Sequence, residues 1–164
     1  MQRSSTQRDA FLAPTLAPWN ADLYPVRQGI LTALKANLSV FRGVLLDVGC
    51  GTMPYRPILE PLVKSYIGMD LYQCAYKAEP DLRWDGANIP MWDGAVDCVL
   101  LTEVLEHCQD PLAVLSEVRR VLRPGGQVFV TVPFIWPLHD EPGDYVRFTN
   151  HGLARLFSQA ELPI

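Results

Sequence analysis

The stretch VLLDVGCGTMPYRP, residues 44–57, decides how this sequence is read. Val44 to Val48 are short, branched and nearly all apolar, the composition of a strand buried on both faces of a sheet. Gly49 and Gly51 then give backbone freedom and let a ligand approach the main chain closely. Met53 to Leu62 reads as a helix start, with Pro54 tolerated in its first turn. Strand, glycine turn and helix start form the ligand-side crevice of an open α/β sheet, although an ordinary tight turn uses the same three pieces.

On the N-terminal side, residues 1–20 are polar and then rich in Pro and Ala, and are expected to form a flexible arm ahead of one domain over 21–164. From Asp22 to Leu38, apolar residues at Val26, Ile30, Leu31, Leu34 and Leu38 keep helical spacing. On the C-terminal side, further strands are expected at Tyr66–Met69, Leu82–Trp84, Val96–Leu101 and Gln127–Val132. Between the last two, Asp110 is a good N-cap with Pro111 at the first helical position. Leu112, Leu115, Val118 and Leu122 then form a stripe, and Gly125-Gly126 is expected to stop the helix. Strands alternating with helices predict a mostly parallel, doubly wound α/β sheet with helices on both faces.

The 164 residues are 49% hydrophobic and 20% charged, the balance of a packed domain rather than a disordered chain. A net charge of −4 offers no basic field to a phosphate backbone, which argues against a nucleic-acid partner. No apolar run approaches membrane-spanning length, and the first ten residues lack the apolar core of a signal peptide. The four cysteines (Cys50, Cys74, Cys98 and Cys108) show no CxxC spacing, so buried reduced thiols and a cytoplasmic setting are expected, without a membrane partner.

Three strands end on acids. Asp70 closes YIGMD 19 positions after Gly51, a spacing that suits a carboxylate accepting hydrogen bonds from a ribose diol on the neighbouring strand. Asp85 closes LRWD, and Thr102-Glu103 closes VLLTE. Each acid alone could serve as a helix N-cap; together they open onto one edge of the sheet. A dinucleotide fingerprint wants a third glycine three residues after the second, and Pro54 stands there. A smaller adenosine ligand therefore fits better than a bulky pyrophosphate.

LDVGCGT, then IGMD, then WDGANIPMWDGAVDCVLLTEVLEH, then VLRPGG resembles the class I S-adenosylmethionine-dependent methyltransferases, of the methyltransferase type 11 kind, over about residues 24–160. The resemblance implies a Rossmann-like sheet and S-adenosyl-L-methionine as cofactor. It implies that Gly49, Cys50 and Gly51 pass under the methionine end, with Asp47 organising the loop from beneath. Asp70, followed by Leu71, would bind the ribose hydroxyls; Asp85 with Gly86 would meet the adenine edge, and Thr102 would sit near the sulfonium. Many members have a further glycine where Met53 stands here. The segment PFIWPLHDEPGDYVRFTNHGL is similar to methyltransferases of glycan and cell-surface polysaccharide pathways. The implied activity is methyl transfer to an oxygen of a small-molecule or glycan-type acceptor. A non-catalytic module that binds cofactor or a partner, an N- or C-methyltransferase and a nicotinamide-dependent enzyme are the alternatives.

An oxygen acceptor benefits from a base that takes its proton. His139, just after the fifth strand, is the first candidate; the polar neighbours Asp140, Glu141, Asp144 and Arg147 equally suit an ordinary surface histidine. His107 is the second candidate, and it would otherwise brace the turn after Glu106. Glu103, Glu106 and His107 form an ExxEH pattern that resembles a divalent-metal site in some ubiquinone-pathway and small-RNA-terminus methyltransferases, and on a helix they would share a face. The same residues are widespread in members without a metal, and no metal is expected. The resemblance implies seven strands, and Ala160-Glu-Leu-Pro-Ile falls where the sixth should begin. The expected order is therefore 3-2-1-4-5, with Gln127–Val132 as an open edge available to a homodimer contact.

Overall fold

A computed structural model describes residues 10–73 and 79–162. Five parallel strands lie in the order β3-β2-β1-β4-β5, as expected: β1 Val44–Val48, β2 Ser65–Leu71, β3 Leu82–Trp84, β4 Val96–Thr102 and β5 Leu122–Thr131. Alternate residues of one strand serve opposite faces. Leu45 packs with Leu34, Tyr55, Leu59 and Tyr66 on one side, while Leu46 packs with Val114, Leu115, Val118 and Phe157 on the other. Four of the five residues of β1 are buried, so the run of branched apolar residues is the centre of two cores. Fully burying one such leucine contributes about 1.5–3 kcal/mol.

Helix α1, Leu23–Ala36, starts on the Asp22 carboxylate, which accepts from the Leu23 N–H at 2.8 Å. A single turn at Leu38–Val40 follows. Of the expected arm, residues 10–20 are described, and Phe11 stands edge-to-face on Tyr55 beneath the Arg27 guanidinium. Helix α3, Pro111–Val121, is capped as expected, with Asp110 accepting from the Ala113 N–H at 3.0 Å. Helix α4, Asn150–Gln159, is capped by the Thr149 hydroxyl and buries Phe157.

Two boundaries differ from the sequence reading by more than two residues. Helix α2 is only Arg56–Leu59, with a further turn at Glu60–Leu62, because Met53 sits in the left-handed region (φ +52°) and cannot begin a helix. Gly125-Gly126 does not stop α3, which ends at Val121; both glycines lie within β5. Leu122 pairs with Val96, and the register then shifts so that Gln127 pairs with Cys98. The extra residues form an irregularity in which a Cβ on Gly126 would come within 2.8 Å of Leu122 Cδ2. Among the described residues no helix is long and apolar enough to cross a membrane.

Candidate active site

Every strand is parallel, so the segments after β1, β2, β4 and β5 meet at one edge of the sheet. After β1, Gly49 (φ +67°) and Gly51 (φ +51°) take conformations that favour glycine, and a Cβ on Gly49 would lie 2.7 Å from Val104 Cγ2. The glycine loop thus packs directly on the segment that follows β4. The Cys50 N–H donates to the Met69 carbonyl at 3.1 Å, and the Gly51 N–H donates to Asp70 Oδ2 at 2.9 Å. The other Asp70 oxygen accepts from the Leu71 N–H at 2.8 Å, so this buried carboxylate pins the loop to the end of β2. Leu71 is exposed at the same edge, and a Cβ on Gly86 would meet its Cδ2 at 3.2 Å, leaving an apolar shelf where that Cβ is absent. Asp85 closes a tight turn, accepting from the Ala87 and Asn88 N–H groups at 2.8 and 2.7 Å, which hold its carboxyl down at about 2.

Asp47 lies beneath the loop, 2% exposed, and accepts from the Tyr66 hydroxyl. Burial pushes this carboxyl up to about 7, opposed by the tyrosine hydrogen bond and reinforced by the charge of Asp70. The sequence reading had Tyr66 only as the start of a strand, with no part in the site. A tyrosine on an otherwise apolar strand facing an aspartate on its neighbour is the signal that could have pointed to it.

After β4, Glu103 adopts φ +55°, a left-handed conformation that costs an L-residue about 1–2 kcal/mol. Its N–H donates to the Thr131 carbonyl at 3.0 Å, and burial pushes its carboxyl upward. Leu105–His107 is a single tight turn, so Glu103, Glu106 and His107 do not share a helical face as the ExxEH spacing suggested. Thr102 ends β4 beside Thr131. The Glu106 side chain is wholly buried, and neither of its oxygens has a hydrogen-bond partner. Burial, with the charge of Glu103 added, pushes it up to about 7. His107 Nδ1 lies 2.7 Å from the Gly143 carbonyl, which can only accept. Nδ1 therefore carries a proton, and Nε2 faces Glu106 Oε1, 3.8 Å away. This contact braces the segment after β5, the bracing role considered for His107, with a more distant partner.

His139 stands in that segment, its ring 4.8 Å from the ring of His107 and edge-on to it. Both its backbone N–H and its Nδ1 face Asp144 Oδ2, at 3.0 and 3.1 Å. Arg147 grips Asp144 with two nitrogens at 2.5 and 2.6 Å and holds that carboxyl well below the usual range. Of the polar residues that made His139 look like an ordinary surface group, Asp144 and Arg147 are the ones that orient it. Asp144 leaves Nε2 as the free basic atom, on a side chain 33% exposed. One atom each from Glu106, His107 and His139 all lie within 4.8 Å of one another.

Residues 46–130 match the family model described as a methyltransferase domain, which is more than half of the chain. The chain belongs to this family, within the class I S-adenosylmethionine-dependent methyltransferases. It is 34% identical over 134 residues to methyltransferase AacuQ of Aspergillus aculeatus, covering 74% of this chain and 43% of that protein. It is 29% identical over 146 residues to a ubiquinone biosynthesis O-methyltransferase of Xanthomonas oryzae, covering 77% and 60%. The chain thus spans less than two thirds of the length of these relatives. A S-adenosylmethionine-dependent methyltransferase from Aquifex aeolicus has the same fold, with a TM-score of 0.61 and 18% identity over 94% of this chain and 86% of that one. S-adenosyl-L-methionine is the cofactor of the class. The open glycine loop, the shelf beside Gly86 and the short α2, which offers little helix-end charge for a pyrophosphate, fit that molecule.

Proposed function

We propose that this chain transfers a methyl group from S-adenosyl-L-methionine to an oxygen of a small-molecule or glycan-type acceptor. The observation that carries the reading is the oriented His139 at the same sheet edge as the Gly49–Gly51 loop. In this reading Asp47, Gly49, Cys50 and Gly51 form the floor of the methionine end, Asp70 and Leu71 take the ribose, Asp85 and Gly86 the adenine, and Thr102 faces the reacting centre. When bound, the cofactor supplies an electrophilic methyl on a sulfonium. The acceptor oxygen would take that methyl with release of the neutral thioether, and its hydroxyl proton would pass to His139 Nε2. Asp144 holds the imidazole in the tautomer that leaves Nε2 free and stabilises the imidazolium. The protein otherwise works by holding acceptor and methyl in line away from water. A cytoplasmic setting belongs to this reading, supported by the free thiols at Cys98 and Cys108. The relative whose printed name includes O-methyltransferase supports the choice of oxygen.

The convergence of Glu106, His107 and His139 favours a second reading, in which a divalent cation assists. Two unpartnered carboxylate oxygens beside a histidine lone pair form a donor set that fits a hard or borderline cation. Those three residues would hold it, and it would polarise the acceptor oxygen.

The test is titration calorimetry with S-adenosylmethionine, S-adenosylhomocysteine and NAD, followed by mass-spectrometric screening of phenolic and sugar acceptors with and without a chelator. Binding of the first two ligands alone, with O-methylated product, is expected. Cofactor binding with no product from the whole natural protein would favour the non-catalytic module, and chelator-sensitive turnover would favour the cation.

A further inference from the structure

The Asp47 carboxylate is almost entirely sealed between β1 and β2, and Tyr66 is its hydrogen-bond donor. We propose that Tyr66 is a positioning residue of the cofactor site, which holds Asp47 beneath the glycine loop and sets the pH range over which the cofactor is bound. This rests on the cofactor reading given above.

The geometry places Tyr66 at a junction. Its hydroxyl donates to Asp47, 19 positions away on the adjacent strand, and the Arg56 guanidinium lies 5.2 Å above its ring. Arg56 in turn binds Glu60 at 3.0 Å and approaches Asp81 at 3.6 Å, so the ring is fixed from the α2 side. The charged and titratable groups around Asp47 are Tyr66 and Asp70 on β2, Cys50 in the loop, Tyr55 ahead of α2 and Arg56 beyond the ring, with Arg27 and Glu103 acting on Tyr55. The charge of Asp70 disfavours a second negative charge at Asp47. The Tyr66 hydrogen bond opposes that, because it stabilises the carboxylate more than the acid. Burial and Asp70 would otherwise keep Asp47 protonated throughout the neutral range.

The methionine end of the cofactor carries an ammonium group over this loop in the reading above. Ionised Asp47 attracts that cation, and protonated Asp47 does not. Affinity should therefore rise with pH through neutrality. Removing the tyrosine hydroxyl should move the rise to higher pH, because the charged form loses its donor.

The experiment is calorimetric titration of S-adenosylhomocysteine into the wild type, Tyr66→Phe and Asp47→Asn at pH 6, 7 and 8, with near-ultraviolet circular dichroism to verify folding. The wild type should bind roughly three- to tenfold more tightly at pH 8 than at pH 6, a change of at most one linked proton. Tyr66→Phe should lose most affinity at pH 7 and recover part of it at pH 8. Asp47→Asn, which keeps the shape and the tyrosine contact without the charge, should bind with no such slope. Should Tyr66→Phe fail to fold, the slope of Asp47→Asn decides alone. A wild type that binds equally at all three pH values, or an Asp47→Asn that keeps the wild-type slope, overturns the role of Tyr66. No binding by the wild type at any pH overturns the cofactor reading instead.

Discussion

Two buried carboxyl groups, one in each half of the crevice, stand in opposite circumstances. Asp47, under the glycine loop, has the Tyr66 hydroxyl as its donor. Glu106, after β4, has no hydrogen-bond partner on either oxygen and faces His107 Nε2 at 3.8 Å instead. Burial pushes both up to about 7. The loop side is internally complete, since both oxygens of Asp70 are also taken by main-chain N–H groups. The side after β4 is incomplete, with a carboxylate short of a positive partner and a strained Glu103 beside it. Strain and unmet bonding are features that binding and reacting sites commonly carry.

Four measurements bear on that contrast. The largest effect is expected on the incomplete side: His139→Ala should lower turnover by about 10²–10⁴ while leaving cofactor affinity nearly unchanged, as loss of a general base does. Turnover at the wild-type level across the pH range would remove His139 from the chemistry and leave the contrast without a catalytic meaning. On the complete side, Asp70→Ala removes a charged acceptor worth about 1.5–3 kcal/mol, so affinity for S-adenosylhomocysteine should fall roughly ten- to a hundredfold. Unchanged binding by a well-folded variant would show that Asp70 serves only to pin the loop.

The third measurement concerns both carboxyls. Each has a folded pKa above its unfolded value, so the native state holds protons that the unfolded chain releases. Their contribution therefore weakens the fold as pH rises from about 4 to about 7. The ligand-free protein should melt at a higher temperature at pH 5 than at pH 7 in scanning calorimetry, and Asp47→Asn should flatten part of that difference. A variant with the full wild-type pH dependence would assign the effect elsewhere. The smallest effect tests packing under the loop. A Cβ on Gly68 would stand 2.6 Å from Met53 Sδ, so Gly68→Ala should destabilise by about 1–3 kcal/mol. In a Met53→Gly background the same change should cost less, by at least about 0.5 kcal/mol, in a double-mutant cycle of chemical denaturation. Additive costs would mean the thioether is not what fills that space.

Much of the fold was legible because it rests on local pattern. The apolar runs at Val44–Val48 and Val96–Leu101 read as strands and Asp110-Pro111 as a helix start, while Leu82–Trp84, with Arg83 at its centre, was legible only as a possible strand. Gly125-Gly126 misled because two glycines after a helical stripe look like a stop, whereas the pairing of Leu122 with Val96 outweighs that local signal. Met53 shows the reverse. It stands where the resemblance leads one to expect a glycine, yet it keeps a backbone conformation (φ +52°) suited to glycine, since Gly68 makes room for its side chain. The oriented His139 was only half legible. Its candidacy followed from position, but its tautomer depends on how Asp144 and Arg147 fold back, and spacing alone does not give that.

The Asp97 carboxylate accepts from the Val44 N–H at 2.7 Å and pairs with Arg123, joining the starts of β1, β4 and β5. The first of these links spans 53 positions in sequence, against 19 for the tyrosine–aspartate contact between β1 and β2. Closing the longer loop costs under about 1 kcal/mol more in chain entropy, yet contacts of long sequence separation form late. The two halves can each gather around near neighbours, and the β1–β4 seam is the step that unites them. Because the glycine loop packs on Val104 across that seam, the crevice exists only once β4 is paired with β1. A nascent chain that has not yet delivered β4 has strands and a glycine turn, and no place for a ligand.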